Sequence, residues 1–78
     1  MNEYNSGTLV VIAEENDNDS YDEYRNMELK VVEVYRSTED HPYYDEGLQG
    51  EGLHELVVNN KDETPVPFLL YHYELDEV

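Results

Sequence analysis

Carboxylates are the commonest chemically active side chains of this 78-residue chain. Asp and Glu number 20, whereas Lys and Arg number four. Pairs of carboxylates can act as general acid and base, and groups of them can bind divalent cations. Here acidic pairs occur throughout the chain, so none of them stands out as an acid and base. The sequence therefore predicts no catalytic residue, and we expect a protein that is not an enzyme.

The first acidic stretch can be aligned with a calcium-binding loop. Asp17, Asp19 and Glu28 then fall at the first, third and twelfth positions, which coordinate the ion in such loops. The fifth position is Tyr21, and the sixth is Asp22, where the sharp turn of the loop requires Gly. We therefore expect no metal site and no cofactor, only weak and nonspecific binding of divalent cations.

Three histidines, His41, His54 and His72, are scattered along the sequence. None forms a pair at the spacing with which a helix or a hairpin presents two ligands to a metal. The chain has no Gly-rich phosphate loop and no Cys, which excludes disulfides and thiolate metal sites. We expect the three histidines to be ordinary surface or half-buried side chains.

The net charge of −16 is the feature of the sequence that says most about function. It disfavours binding to free nucleic acid or to an anionic membrane, since both are polyanions, and it favours a strongly basic partner. A solvated acidic surface without a partner is the simpler alternative, but the charge lies further from neutrality than solubility requires. Because a duplex presents one negative charge per roughly 1.7 Å of axis, a small acidic frame can imitate DNA in a cleft rich in Arg and Lys.

Tyrosines are interleaved with the acids, at Tyr21 and Tyr24 in one stretch and at Tyr43 and Tyr44 in another. A Tyr ring beside a carboxylate suits Arg, which stacks on the ring while it bonds the acid. We expect Tyr43 and Tyr44 to contact a partner. The tyrosines expected to be mainly structural are Tyr35, Tyr71 and Tyr73.

Two long loops hold most of these side chains: the first acidic loop (residues 14–26) and the second acidic loop (residues 37–52). Loops of this length in a small domain are usually functional or disordered. We predict that both loops bind the partner. The candidate contact residues are Glu14, Glu15, Asp17, Asp19, Asp22, Glu23, Glu39, Asp40, Tyr43, Tyr44, Asp45, Glu46 and Glu51.

Strands must position these loops, and the clearest strand signal covers residues 27–36. Apolar and charged residues alternate there until Val31 and Val32 break the phase, which predicts a β-bulge or a strongly bent strand. Ser20 with Glu23 three residues later predicts a short helix in the first acidic loop. Apolar runs predict further strands at residues 8–13, 53–58, 65–70 and 74–78, with a 3₁₀ turn at residues 71–73.

The length predicts one small domain, residues 1–78, with a polar and frayed segment at residues 1–6. High charge with low hydrophobicity also permits disorder, but the 19 Leu, Ile, Val and Phe residues are clustered, which favours a fold. The first residues lack the features of a signal peptide. The longest apolar run, of about six residues, is far shorter than the roughly 20 that span a bilayer. We therefore expect a cytoplasmic protein.

Three stretches resemble small Src-homology-3-like (SH3-like) β-barrel proteins that are common in phages and bacteria. They are Val31-Val32-Glu33-Val34-Tyr35, Val66-Pro67-Phe68 and Leu70-Tyr71-His72-Tyr73-Glu74-Leu75. The resemblance implies an all-β fold, namely a small five-stranded SH3-like barrel with two long acidic loops. Related barrels of the KOW type carry Gly in the turn before the second strand, where this chain has Asn26-Met27-Glu28-Leu29. Their binding of RNA or ribosome needs basic residues, which this chain lacks, so that function is not carried over.

Size, charge and this resemblance together predict an acidic DNA mimic that inhibits a nucleic-acid-binding enzyme. The leading version is a phage-encoded anti-CRISPR protein, similar to other acidic anti-defence inhibitors, that blocks the DNA-binding cleft of an RNA-guided nuclease in the bacterial cytoplasm. An inhibitor of a restriction or DNA-repair enzyme fits the charge equally well. The alternative from another class is a non-inhibitory adaptor barrel that binds a basic partner, and competition with DNA separates the two.

Overall fold

The structure, a computed structural model, describes residues 2–78 and is built on one five-stranded antiparallel sheet. The strands are β1 (Leu9–Ile12), β2 (Leu29–Tyr35), β3 (Leu53–Val58), β4 (Leu70–Tyr71) and β5 (Leu75–Glu77). Short 3₁₀ helices lie at Asp19–Tyr24, Glu46–Leu48 and His72–Glu74. The order across the sheet is β4-β3-β2-β1-β5, so β4 and β5 are its edges. The all-β prediction is confirmed.

The predicted irregularity in β2 is a bulge at Val32. Val31 pairs with Leu56 and Glu33 pairs with Glu55, so Val32 is an extra residue between two consecutive pairs. Because side chains alternate along a strand, the extra residue keeps apolar side chains on the core face and turns Glu33 to solvent. The β2 side chains on the core face are Leu29, Val31 and Val34, and those on the other face are Lys30, Glu33 and Tyr35.

The core covers one face of the sheet and consists of aliphatic side chains. Its buried members are Val10, Ile12, Leu29, Val31, Val34, Leu56, Val66, Leu70 and Leu75. Phe68 and several tyrosines pack around its border, where they are partly exposed. The aromatic residues thus close the edges of a core that aliphatic residues fill.

The fourth strand is shorter than the sequence predicts for residues 65–70. Ladder contacts with β3 form only near the two ends of that segment, where the Val66 N–H donates to the Leu56 carbonyl over 3.0 Å and strand pairing resumes at Leu70. Pro67 has no N–H to donate, so the segment between these ends does not continue the ladder.

The N-terminal segment, predicted to fray, is held against the rest of the chain, although Met1 lies outside the described residues. Asn2 forms a parallel bridge with Glu51. Glu3 accepts two hydrogen bonds from the Arg36 guanidinium, over 2.8 and 2.5 Å. These bonds hold the pKa of the Glu3 carboxyl below its ordinary value. The segment is therefore fixed by backbone pairing and by one bidentate ion pair.

His54 is fully buried, which corrects the prediction of a surface or half-buried side chain. Its Nδ1–H donates to the Leu70 carbonyl over 3.0 Å, and its Nε2 accepts from the backbone N–H of Tyr4 over 2.9 Å. These two partners require a neutral imidazole. Burial lowers the pKa of His54, because desolvation disfavours the charged form. His54 thus joins β3 to the N-terminal segment and to β4.

Deletion of Val32 is expected to leave the protein folded, because Val31 and Glu33 already pair with consecutive residues of β3 and keep their faces without the extra residue. Insertion of one alanine between Glu33 and Val34 would instead turn Val34 out of the core, at a cost of about 1.5–3 kcal/mol for the lost burial of its side chain. Urea unfolding followed by circular dichroism measures both variants. A deletion variant that is less stable than the insertion variant would show that Val32 is not the extra residue.

The free energy of unfolding is expected to fall as the pH drops from about 7 to about 5. The unfolded state takes up a proton near the ordinary His pKa of about 6.5, while the folded His54 imidazole resists it, so unfolding is favoured by up to about 1.4 kcal/mol per pH unit. Glu3 and His72 are the ionisable groups nearby, and the Glu3 contribution is lost only at lower pH.

The variant His54→Gln is expected to be less stable at pH 7 but to lose this pH dependence. His41→Gln removes an imidazole that lies outside the core and serves as the control. Urea unfolding at a series of pH values measures the slope. An unchanged slope in the His54 variant would assign the pH dependence to other groups.

Candidate functional site

The first acidic loop is ordered by a 3₁₀ helix and by an arginine. Asn18 caps the helix by accepting a hydrogen bond from the Ser20 backbone over 2.9 Å, whereas the sequence predicts Ser20 as the cap. The Arg25 guanidinium donates to the carbonyls of Asn16 and Asn18 over 2.5 and 3.1 Å, and to the Asp22 carboxylate over 3.0 Å. The Arg25 side chain therefore holds the backbone of the loop in place through internal hydrogen bonds.

Two tyrosine rings anchor the first acidic loop to the border of the core. The Phe68 ring lies 4.3 Å from the Tyr21 ring and 5.5 Å from the Tyr24 ring, measured between centroids. Both rings are half-buried and act as anchors, while the acids project into solvent. The exposed acids of this loop are Glu14, Glu15, Asp17, Asp19, Asp22 and Glu23.

Asp76 lies beside the first acidic loop, although the sequence pattern does not indicate this position. It lies on β5 opposite Val11, and together with Glu14 and Glu15 it lines a concavity of about 380 Å³. The sequence signal that could have indicated Asp76 is the change from the apolar Leu75 to the acidic Asp76 along β5. This signal is weak, because the strand has three residues. Among residues 2–78, no group of three or more acidic or His side chains is arranged to hold a metal ion.

The second acidic loop is built around a buried tyrosine. Tyr44 is 4% exposed, and its hydroxyl lies 2.6 Å from the Glu51 carbonyl and 2.8 Å from the Leu48 carbonyl. Burial raises its pKa. The loop is also joined to β4, because the Asp45 N–H donates to the Tyr71 hydroxyl over 2.8 Å. Tyr44 is therefore a structural residue, which corrects its assignment as a partner contact.

Tyr43, the neighbouring residue, points outward with 82% of its surface exposed. This position suits the contact role that the sequence predicts for it. Tyr73 differs from its prediction as a structural residue, because it is 59% exposed. The exposed acids of the second loop are Glu39, Asp40, Asp45 and Glu46.

Two acids of the second loop have structural roles of their own. Asp40 accepts from the Arg36 backbone N–H, and Asp45 accepts from the Gly47 N–H, each over 2.8 Å. Glu39 and Glu46 form no side-chain hydrogen bond within residues 2–78. These two acids are thus the ones in the loop that can be changed without removing an internal contact.

Glu51 is drawn inward, which separates it from the other candidate contact residues. Its side chain is 24% exposed, and its Oε1 accepts a hydrogen bond from Asn2 over 3.3 Å. Its Oε2 is buried without a hydrogen-bond partner in the described part of the chain, and the His72 Nδ1 lies 4.0 Å away. Glu51 therefore belongs to the contacts that hold the N-terminal segment.

An open groove of about 620 Å³ lies beside the second acidic loop, over the outer face of β3. We call it the β3 groove and define it by the residues that line it, among them Tyr43, Glu55, Val57, Pro65, Phe68 and Tyr71. The segment 65–69 forms one wall, at the place where the strand ladder is interrupted. No pattern along the sequence indicates this groove, because its lining comes from three separate parts of the chain.

The negative charge is exposed and mostly uncompensated. Within residues 2–78, Lys or Arg pairs with only three acids, in Arg25–Asp22, Lys30–Glu63 and Arg36–Glu3. Only Glu3, Glu51 and Glu74 are half-buried, and the other 17 acids are exposed. Outside the two acidic loops the exposed acids are Glu28, Glu33, Glu55, Asp62, Glu63, Asp76 and Glu77. The surface as a whole therefore attracts cations.

Comparisons of the chain with protein-family models, with curated proteins and with solved structures gave no match. Within residues 2–78, no helix has both the length and the apolar character needed to cross a membrane.

The adjacent tyrosines are expected to differ in their effect on stability. Tyr44→Phe removes a hydroxyl that satisfies loop carbonyls, so the free energy of unfolding should fall by about 1–2 kcal/mol. Tyr43→Phe, at an exposed position, should change it by less than about 0.5 kcal/mol. Urea unfolding measures both variants. Equal effects would contradict the inward and outward assignment of the two rings.

Proposed function

We propose that this protein is an acidic, non-enzymatic DNA mimic that inhibits a nucleic-acid-binding enzyme by occupying its Arg- and Lys-rich cleft. The observation that carries the proposal is the exposed negative charge on a small ordered frame. The protein measures 31 × 25 × 20 Å and has a net charge of −16. A DNA duplex as long as the longest of these dimensions carries about 18 phosphate charges, so the two charge densities are similar.

The anchoring of the two acidic loops supports this proposal. The first loop is fixed by Arg25 and by the packing of its rings on Phe68. The second loop is fixed by the buried Tyr44. Association costs free energy for every segment that it must order. Loops that are already held in place reduce this cost, as a duplex mimic requires.

We infer that the sheet is curved into a small SH3-like barrel. Three features support this inference: the order that places β1 between β2 and β5, the bulge at Val32, and the 3₁₀ helix that links the edge strands β4 and β5. Bulges increase the local bend and twist of a strand, as barrel corners need.

The resemblance to phage and bacterial barrels supports a phage-encoded anti-CRISPR protein as the leading version of the function. Its target would be an RNA-guided nuclease, whose DNA channel is basic, in the cytoplasm of the bacterial host. An inhibitor of a restriction or DNA-repair enzyme rests on the same charge argument. The mimic would exclude DNA from the cleft without contacting nucleic acid itself.

The β3 groove favours a second candidate function, a non-inhibitory adaptor that binds a basic partner. An apolar groove contributes nothing to the imitation of a phosphate backbone, and it suits recognition of a polypeptide. An adaptor need not overlap a DNA site. Competition with DNA therefore decides between the two candidates.

Charge reversal in the acidic loops is expected to abolish inhibition. Two variants reverse acids without internal side-chain bonds, Asp17→Lys with Glu23→Lys in the first loop and Glu39→Lys with Glu46→Lys in the second. Exposed ion pairs contribute about 0–1 kcal/mol each, so each double variant should weaken inhibition and their combination should abolish it. The measurement is fluorescence anisotropy of labelled DNA bound to a purified RNA-guided nuclease, a restriction enzyme or a repair glycosylase, with this protein as competitor.

The matched control carries Asp62→Lys and Glu77→Lys, which give the same change in net charge outside both loops. This control should keep most of the inhibition, and circular dichroism should show that all variants fold. Inhibition by the parent protein should weaken as salt rises, because charge pairs are screened. If the folded four-site variant still displaces DNA as well as the parent protein, mimicry through these loops is wrong.

A further inference from the structure

We propose that the β3 groove binds an extended segment of a basic polypeptide in which an arginine is next to an apolar side chain. The inference goes beyond DNA mimicry, because it assigns apolar recognition to a surface without a phosphate-like charge pattern. It does not depend on whether the partner binds DNA. The occupant follows from three properties of the groove: its apolar lining, the carboxylate of Glu55 and its aromatic rings.

The lining of the groove is largely apolar. Val57 lines it from β3, and Pro65 and Pro67 restrict the backbone of the lining segment 65–69. The groove volume of about 620 Å³ lies within the range of roughly 300–1,000 Å³ that is typical of ligand pockets. A groove of this kind can accept an apolar side chain without first rearranging.

Glu55, which lines the groove, has a second carboxylate beside it on the neighbouring strand. Glu33 on β2 pairs directly with Glu55 on β3, and both are exposed. Like charges in directly opposite positions destabilise a sheet, and within residues 2–78 no Lys or Arg forms an ion pair with either of them. Lys30, on the same face of β2, is already paired with Glu63 over 2.8 Å. A bound cation would relieve this repulsion.

Aromatic rings lie near Glu55. The Tyr35 hydroxyl donates to Glu55 over 2.8 Å, and the ring of His41 lies 4.7 Å from that of Tyr35 and 5.3 Å from that of Tyr43. A guanidinium can stack on a ring and bond a carboxylate at the same time, whereas an ammonium is a point charge on a flexible stem. The cation that fits this arrangement is therefore arginine.

Other occupants fit the groove less well. A second copy of this chain would bring a further net charge of −16, and both of its arginines, Arg25 and Arg36, are engaged in internal ion pairs. Nucleic acid and anionic lipid are repelled by the same charge. A neutral small molecule would desolvate Glu55 without giving it a charged partner.

The test uses two short synthetic peptides of equal length and charge, one that alternates arginine with leucine and one that alternates arginine with glycine. Each is titrated into isotopically labelled protein at about physiological ionic strength, where long-range attraction is screened within roughly 8 Å. We expect the leucine peptide to bind at least about fivefold more tightly, because each buried methylene contributes to transfer from water. Its amide shifts should cluster at Glu55, Val57 and residues 65–69.

Variants with matched controls locate the site. Tyr43→Ala and Glu55→Gln should each weaken binding of the leucine peptide by roughly two- to fivefold. Tyr73→Ala removes another exposed ring and Glu77→Gln another exposed carboxylate, and neither should change the affinity. Substitution of lysine for arginine in the peptide should weaken binding, because lysine cannot form the bidentate bond.

Equal affinity of the two peptides, with shifts spread over the acidic loops, would overturn the groove inference and leave a purely electrostatic surface. Failure of both peptides to bind would also overturn it. Neither result bears on DNA mimicry, which the DNA competition assay tests separately. Sedimentation of the free protein as a dimer that Tyr43→Ala dissociates would assign the groove to a second copy and overturn the inference as well.

Discussion

The bulge at Val32 determines what each face of the sheet presents. The shift by one residue brings Val34 into the core and turns Glu33 and Tyr35 to the opposite face. The same shift places Glu33 directly against Glu55. The packing of Val34 in the core and the pairing of Glu33 with Glu55, which lines the β3 groove, thus have one cause. The repulsion is tolerable because both carboxylates face water, where the effective dielectric constant is high.

Three of the four Lys and Arg residues serve as internal connections. Arg25 holds the first acidic loop, Arg36 holds the N-terminal segment, and Lys30 reaches Glu63 in the turn after β3. Exposed ion pairs contribute little free energy, about 0–1 kcal/mol each, so their main effect is positional. Because these cations are used inside the structure, the acids in excess keep their charge at the surface.

The sheet was predictable because its pattern is local. The alternation along β2 and its break at Val31 and Val32 can be read from adjacent residues, and the structure places both the strand and the bulge there. A local preference also fits at Asn26, which adopts a φ of 70° before β2. Asn tolerates this left-handed conformation better than most residues.

The orientation of single side chains in the loops was not predictable, because distant residues decide it. Tyr43 and Tyr44 are identical neighbours in an acidic context, and Tyr44 turns inward because the carbonyls of Leu48 and Glu51 can bond its hydroxyl. His54 is similar, since its burial depends on the backbone N–H of Tyr4 from the N-terminal segment. The strand pattern alone indicates on which face of β3 the His54 side chain lies, but not which groups it bonds.

The two acidic loops and the β3 groove would contribute to different stages of recognition, the loops to encounter and the groove to the lifetime of the complex. Uncompensated charge acts over a Debye length of roughly 8–10 Å, so it accelerates encounter with a basic partner and lowers the rate of encounter with polyanions. Contacts in a groove act only at van der Waals distance, and they govern how long a complex lasts. Tyr43 connects the second acidic loop to the β3 groove, because it belongs to the loop and also lines the groove. A partner steered by the loops would therefore reach the groove without crossing a neutral surface.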